Sequence, residues 1–225
     1  TGAYMEPWAQ KLIEGLDGDV QVVDVSAHVP LEEESHDHEG HDHDGHGGFD
    51  PHIWTNPQNA KVMVDNIAAA LSAADPAGSG LFMTNAADYK AQLDELDETI
   101  MEIVGMSEHR EIVFGGRFAM RYFAEHYGLA WSAAFDSCSG ETEPSVRAVA
   151  QIVDNIQKNC IPVIYYEELT DPKVARAIAR ESGAQPLLLH SCHNVSKDEL
   201  AAGATYLSLM EQNAVNLKRG LNGWR

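Results

Sequence analysis

The sequence predicts an α/β protein built on a parallel or mixed sheet with helices on its faces. Three observations carry that expectation. Between residues 111 and 189 short apolar runs alternate with amphipathic helical stretches. Residues 81–106 hold one long helical pattern, and 44% hydrophobic content in 225 residues suffices for the cores of one large domain or two small ones.

In chain order, residues 1–16 read as a turn and a short helix with Trp8, Leu12, Ile13 and Leu16 at helical spacing. Residues 20–25 alternate as a strand, and residues 26–49 form a polar loop. Asn56-Pro57 opens a helix whose stripe is Val62, Val64, Ile67, Ala68 and Leu71, ended by Asp75-Pro76 and Gly78-Ser79-Gly80. The pattern over 81–106 places Tyr89, Leu93, Leu96, Ile100 and Ile103 at intervals of three and four. At 1.5 Å per residue such a helix spans roughly 40 Å, enough to join two lobes.

Strands follow at 111–114, 129–135, 161–166 and 186–189. Helices are predicted at 117–126, closed by Gly128, at 144–159, entered through Glu143-Pro144-Ser145, and at 172–182, stopped by Gly183. A last helix over 197–221 has Leu200, Leu207, Met210 and Leu217 facing inward. Ligands of open sheets sit outside the carboxyl ends of the strands, which here selects residues 115–117, 137–143, 167–170 and 190–194.

The formal charge of −20, from 35 acidic and 15 basic residues, repels phosphate backbones and anionic membrane surfaces. Nucleic acid is therefore not an expected partner. No run approaches the roughly 20 apolar residues of a membrane span, and the chain as given reads as soluble. Cys138, Cys160 and Cys192 allow at most one internal disulfide.

The densest chemical signal is the run 36–57. His36, His38, His41, His43 and His46 fall within eleven residues, interleaved with Asp37, Glu39, Asp42 and Asp44 and loosened by glycines. Neutral imidazole is the commonest ligand for a borderline ion such as Zn²⁺, and carboxylates can complete the shell. A tract without apolar residues cannot bury itself, so a mobile, metal-collecting arm is expected rather than a fixed site. An expression tag would usually be terminal and uniform, and this tract is internal and acid-interleaved. Asp50-Pro51-His52-Ile53-Trp54 differs again, because it sets one histidine between a rigid proline and two large apolar residues. A lone His52 reads first as a histidine satisfied at a turn, and the arm beside it favours a ligand.

Other constellations are weaker. Asp136-Ser137-Cys138-Ser139-Gly140 is not a Gly-x-Ser-x-Gly nucleophile turn. Glu167-Glu168 could serve as an acid and base pair, although such residues more often cap a turn. Arg117 and Arg121 are candidates for ion pairs with Glu141, Glu143 or Glu167.

The runs DPHIWTNPQNAKVMVDNIAAALSAADP, TNAADYKAQLDEL, YFAEHYGL, TEPS, PVIYYEEL and IARESGA, with the opening TGAYMEPWAQKL, resemble the substrate-binding proteins of zinc and manganese ABC importers. The resemblance covers nearly the whole chain. It implies two α/β lobes bridged by one long helix: residues 1–80 as the remainder of an N-terminal lobe with the loop 26–49, residues 81–106 as the linking helix, and residues 107–225 as the C-terminal lobe. Members carry a further segment with a metal histidine ahead of the position of Thr1, so the N-terminal lobe is expected to be incomplete here. Their second-lobe histidine matches Arg117, which cannot ligate a cation. Their late acidic ligand matches His190, with Cys192 and His193 beside it.

The expectation is a variant site in which His52 and His190 bind one ion jointly, Cys192 or His193 completes the shell, and Arg117 holds an acidic group. Imidazole with thiolate suits Zn²⁺ better than Mn²⁺, the alternative first-row ion. For Cys192 a buried thiol or a disulfide with Cys138 stays equally open. The implied function is a monomeric, extracytoplasmic zinc-binding protein that delivers its ion to an ABC permease and performs no catalysis. It would lie in the periplasm, or at a Gram-positive cell surface through a lipid anchor outside this chain. The alternatives are a metal-dependent hydrolase with Glu167 as base, against which stands the lack of a His-Glu-x-x-His run, and a surface metal buffer or adhesin.

Overall fold

The computed structural model describes residues 9–16, 18, 20–32, 49–135 and 144–222. The chain divides into two compact units, Thr1–Asp94 and Glu95–Arg225.

In the first unit helix α1 covers Ala9–Glu14, a 3₁₀ turn covers Ile53–Thr55, and α2 covers Pro57–Ala74. Helix α2 starts where its chemistry says it should: the Asn56 side chain accepts the Gln58 N–H at 2.9 Å, and Pro57 occupies the first helical position, where its missing N–H is not needed. Helix α3 begins at Ser79 and ends at Gly105 in the second unit. Lys61 with Asp94, and Lys90 with Asp65 at 2.5 Å, tie successive turns of α2 and α3 in the antiparallel sense. The stripe of α2 is only partly buried. Ala68 is enclosed, whereas Ile67 and Leu71 are exposed and line an apolar groove with Phe82, Ala86 and Tyr89.

One expectation fails here. Residues 20–25 form no strand, and Val20, Val22 and Val23 are exposed. An alternating pattern makes a strand only where a neighbour satisfies its backbone, and among the described residues the one sheet lies in the second unit. Leu12, Ile13 and Leu16 of the α1 stripe are likewise exposed.

The second unit is the predicted parallel sheet. Strands β1 Glu111–Phe114, β2 Ala130–Ala133, β3 Val163–Tyr166 and β4 Gln185–Leu188 lie in the order β2-β1-β3-β4, all parallel, with Phe114 opposite Ala133 on one side and Tyr165 on the other. Successive side chains point to opposite faces. Ile112, Phe114, Val163 and Tyr165 enter one core with Leu96 and Ile100 of α3, while Val113 and Ile164 enter the other with Ile152, Ile156 and Ile178. Both faces being covered, the strands read as continuous apolar runs rather than alternating ones.

The helices are α4 Arg121–His126, α5 Val146–Asn159, α6 Lys173–Ser182, α7 Lys197–Ala201 and α8 Tyr206–Asn222. Helix α4 starts four residues later than its pattern suggests. The single last helix expected over 197–221 is two. Gly203 sits between α7 and α8 at φ +76°, a conformation that ends a helix, and Leu200 is exposed while Met210 and Leu217 are enclosed.

Candidate metal centre

His52 is held by its neighbours in sequence. Asp50 Oδ1 accepts the His52 backbone N–H at 2.8 Å and lies 2.7 Å from its Nδ1, and both side chains are buried. A carboxylate only accepts, so the ring donates from Nδ1, the usual support of a metal-ligating histidine. The His52 carbonyl accepts from the Thr55 hydroxyl at 2.8 Å, and its ring meets Trp54 edge-on at 5.5 Å between centroids. Asn59 Nδ2 donates to the Ile53 carbonyl at 3.1 Å and locks the 3₁₀ turn to α2. The proline-histidine-isoleucine run thus builds a rigid pedestal.

In the second unit the parallel strands put the loops after β1, β3 and β4 at one edge. His190 follows β4 directly and is 2% exposed. Asn213 of α8 clamps its backbone from both sides, accepting the His190 N–H at 2.7 Å and donating to the His190 carbonyl at 2.7 Å. Asn216 adds a bond to the Leu188 carbonyl at 2.8 Å. Asn213→Ala would leave a buried N–H and a buried carbonyl unpaired, at about 1–3 kcal/mol each. A denaturant midpoint should register a combined loss of about 2–4 kcal/mol, since the removed side chain carried both bonds.

The ring of His190 is asymmetric. Nδ1 accepts the Cys192 N–H at 2.9 Å and lies 3.7 Å from Glu168 Oε2. An accepting Nδ1 places the proton of the neutral ring on Nε2. That atom has no hydrogen-bond partner among the described residues, and Glu199 Oε1 is 3.6 Å away. Glu168 takes the Ser191 N–H at 2.8 Å and the Ser191 hydroxyl at 2.6 Å. Burial alone would raise the Glu168 carboxyl, but the Ser191 bonds and the His190 ring outweigh it and hold it below the usual carboxylate range. A general base active near neutral pH needs the opposite shift, so Glu168 is a structural acceptor.

Cys192 stands at φ +59° with its thiol 3.8 Å from the His190 carbonyl. Burial first, then the charges of Glu168 and Glu199, push that thiol up to about 12, which opposes the thiolate a metal bond requires. Cys160 and Cys192 are free thiols, and Cys138 lies outside the described residues. His193 is exposed, and its N–H donates to the Ser191 hydroxyl at 3.2 Å. Arg121 pairs within its own helix with Glu125 at 2.9 Å, and Glu141 and Glu143, two of its expected partners, lie outside the described residues.

The four candidate donors are therefore distributed as follows. His52 belongs to the first unit, and His190, Cys192 and His193 share one turn of the second. Asp50, Glu168, Glu199 and Asn213, none of them singled out as metal-related in the sequence, are what surround the two buried histidines. Only the spacing Asp50-x-His52 could have signalled its role. His36, His38, His41, His43 and His46, and most of the loop after β2, lie outside the described residues. Among the described residues no group of three or more His, Cys, Asp and Glu side chains converges to hold an ion, and no helix is long and apolar enough to cross a membrane.

A family model described as zinc-uptake complex component A, periplasmic, matches residues 1–220. The zinc-binding lipoprotein AdcA of Streptococcus pneumoniae is 33% identical over 221 residues, 96% of this chain and 44% of that protein. The high-affinity zinc uptake system protein ZnuA of Bacillus subtilis is 33% identical over 223 residues, 97% of this chain and 69% of its own length. The chain thus spans less than half of the streptococcal relative. The crystal structure of the metal-dependent lipoprotein YcdH from Bacillus subtilis matches with a TM-score of 0.81 at 30% identity, covering 98% of this chain and 78% of that one.

Proposed function

We propose, from the premise that this chain belongs to the zinc-uptake complex component A family, that it binds Zn²⁺ outside the cytoplasmic membrane and hands the ion to an ABC permease without catalysing a reaction. The observation that carries the reading is the buried His52, held through Nδ1 by the Asp50 carboxylate at 2.7 Å, the carboxylate–imidazole pairing that usually supports a metal-ligating histidine. We assign His52 and His190 as ligands. Their nitrogens favour Zn²⁺ over Mn²⁺ or Ca²⁺, which prefer oxygen. Cys192 and His193 are the other donors of the His190 turn, with Cys192 handicapped by its raised thiol. The five histidines between 36 and 46 serve as an accessory arm that gathers zinc weakly.

Calorimetric titration of Zn²⁺ into the full-length, metal-stripped protein tests this. Binding tighter than about 1 μM, about −8.2 kcal/mol, is expected, and failure to reach it with any first-row divalent ion overturns the reading. Deleting residues 36–46 should abolish the weak sites and spare the tightest. Loss of the tightest site on that deletion would place the arm among the principal ligands.

A further inference from the structure

Glu199 lies outside every motif of the sequence, yet its carboxylate is aimed at His190. Its Oε2 is pinned by the capping box that starts α7, accepting the Ser196 N–H and the Ser196 hydroxyl at 2.7 Å each. Its Oε1 is left facing the His190 Nε2 at 3.6 Å, and that nitrogen, on a ring 2% exposed, has no hydrogen-bond partner among the described residues. A separation of 3.6 Å is too long for a hydrogen bond. It suits an ion between the two atoms: with bonds of about 2.0–2.1 Å, the angle at the metal is roughly 120°, near tetrahedral. The Glu199 side chain is 31% exposed, which leaves its carboxylate reachable from solvent, while the His190 ring stays buried.

We propose that Glu199 Oε1 is an oxygen ligand of the zinc ion held by His190 Nε2, a donor recruited from a helix cap. This rests on the reading of His190 as a zinc ligand. The pair supplies two of the four donors of a tetrahedral ion, and the Ser196 bonds hold the carboxylate in place before the ion arrives. The cation takes the position of the Nε2 proton. One proton would leave Nε2 for solvent and one would be taken up at Nδ1, displacing the Cys192 amide and drawing Glu168 Oε2 in from its present 3.7 Å to accept it. The charge of the ring is unchanged, and a carboxylate behind a metal-bound imidazole is the usual support for such a ligand.

The test titrates Zn²⁺ into the full-length protein and three variants. Glu199→Gln keeps a capping-box acceptor for Ser196 but removes the charged donor, and it should raise the zinc Kd at least about 10-fold. Ser196→Ala keeps the carboxylate and loosens it, so its loss of affinity should be smaller than that of E199Q. Zinc-edge X-ray absorption of the unaltered chain should show an oxygen donor beside imidazole nitrogen, and on loading the Cys192 amide resonance should shift. Wild-type affinity in E199Q, with His190→Ala strongly weakened, overturns the Glu199 assignment alone. Wild-type affinity in His190→Ala overturns the reading of His190 on which it depends. A shell of nitrogen and sulfur without oxygen overturns the Glu199 assignment independently of any substitution.

Discussion

Replacing His190 by alanine should raise the zinc Kd at least about 100-fold, the upper end of what loss of a group that merely supports a ligand costs. The loss is expected to be at least about 2.8 kcal/mol, at about 1.4 kcal/mol per factor of ten. The reason is geometric. The His190 backbone is gripped on both sides by Asn213 at 2.7 Å, which fixes the turn that presents the ring. Cys192, the alternative in the same turn, is partly buried beside Glu168 and Glu199, and burial first, then those charges, push its metal-free thiol up to about 12. Because alanine also leaves a cavity at a buried position, the informative measurement is zinc affinity on folded protein, compared with His190→Gln, which keeps much of the volume. Both variants should lose zinc. Retention of wild-type affinity by either would return His190 to a structural turn residue.

The second large effect concerns stability. Gly115 follows β1, donating its N–H to the Tyr165 carbonyl at 2.8 Å. A Cβ there would sit 2.4 Å from Ala175 Cα and 2.8 Å from Ala175 N, both backbone atoms of α6. A side chain could rotate away, but a helix in a close-packed core cannot shift alone. Gly115→Ala should therefore cost about 3 kcal/mol, the top of the usual overpacking range, and lower the melting temperature by roughly 6–12 °C for a chain of this size. Gly116→Ala is the matched comparison. Its Cβ would meet nothing closer than Glu167 Oε1 at 3.9 Å, so the melting temperature should hardly move. Equal melting temperatures for the two variants would show that α6 does not press on Gly115.

Much of the fold was legible in the sequence because its signals are short-range. The four strands and the helices between them announce themselves by apolar runs and by Ser145 and Gly183, residues that do their capping within a few positions of where they stand. The long helix was readable from its spacing almost to the residue, 81–106 against Ser79–Gly105. Residues 20–25 show the limit. Their alternation is real, but pairing is a property of two segments, and no local pattern states whether the second one is there. The break between α7 and α8 was missed for a related reason: apolar spacing ran across it, while a capping box at Ser196 and the left-handed Gly203 divided it.

The candidate site divides in the same way. The sequence by itself determined His52, because Asp50, Pro51 and Thr55 shape that histidine from within a span of six residues, and it pointed to the turn at His190 as the end of a parallel strand. Only the tertiary structure decided which way those rings face. Glu168 and Asn213 each reach the His190 turn across 23 residues of chain, and Glu199 arrives on a helix whose own cap fixes its carboxylate. Such groups meet because parallel strands deliver their carboxyl ends to one edge and α8 returns across it. Periodicity records the face a residue shares with its neighbours in sequence, and it carries no record of the partners that a crossover brings to it.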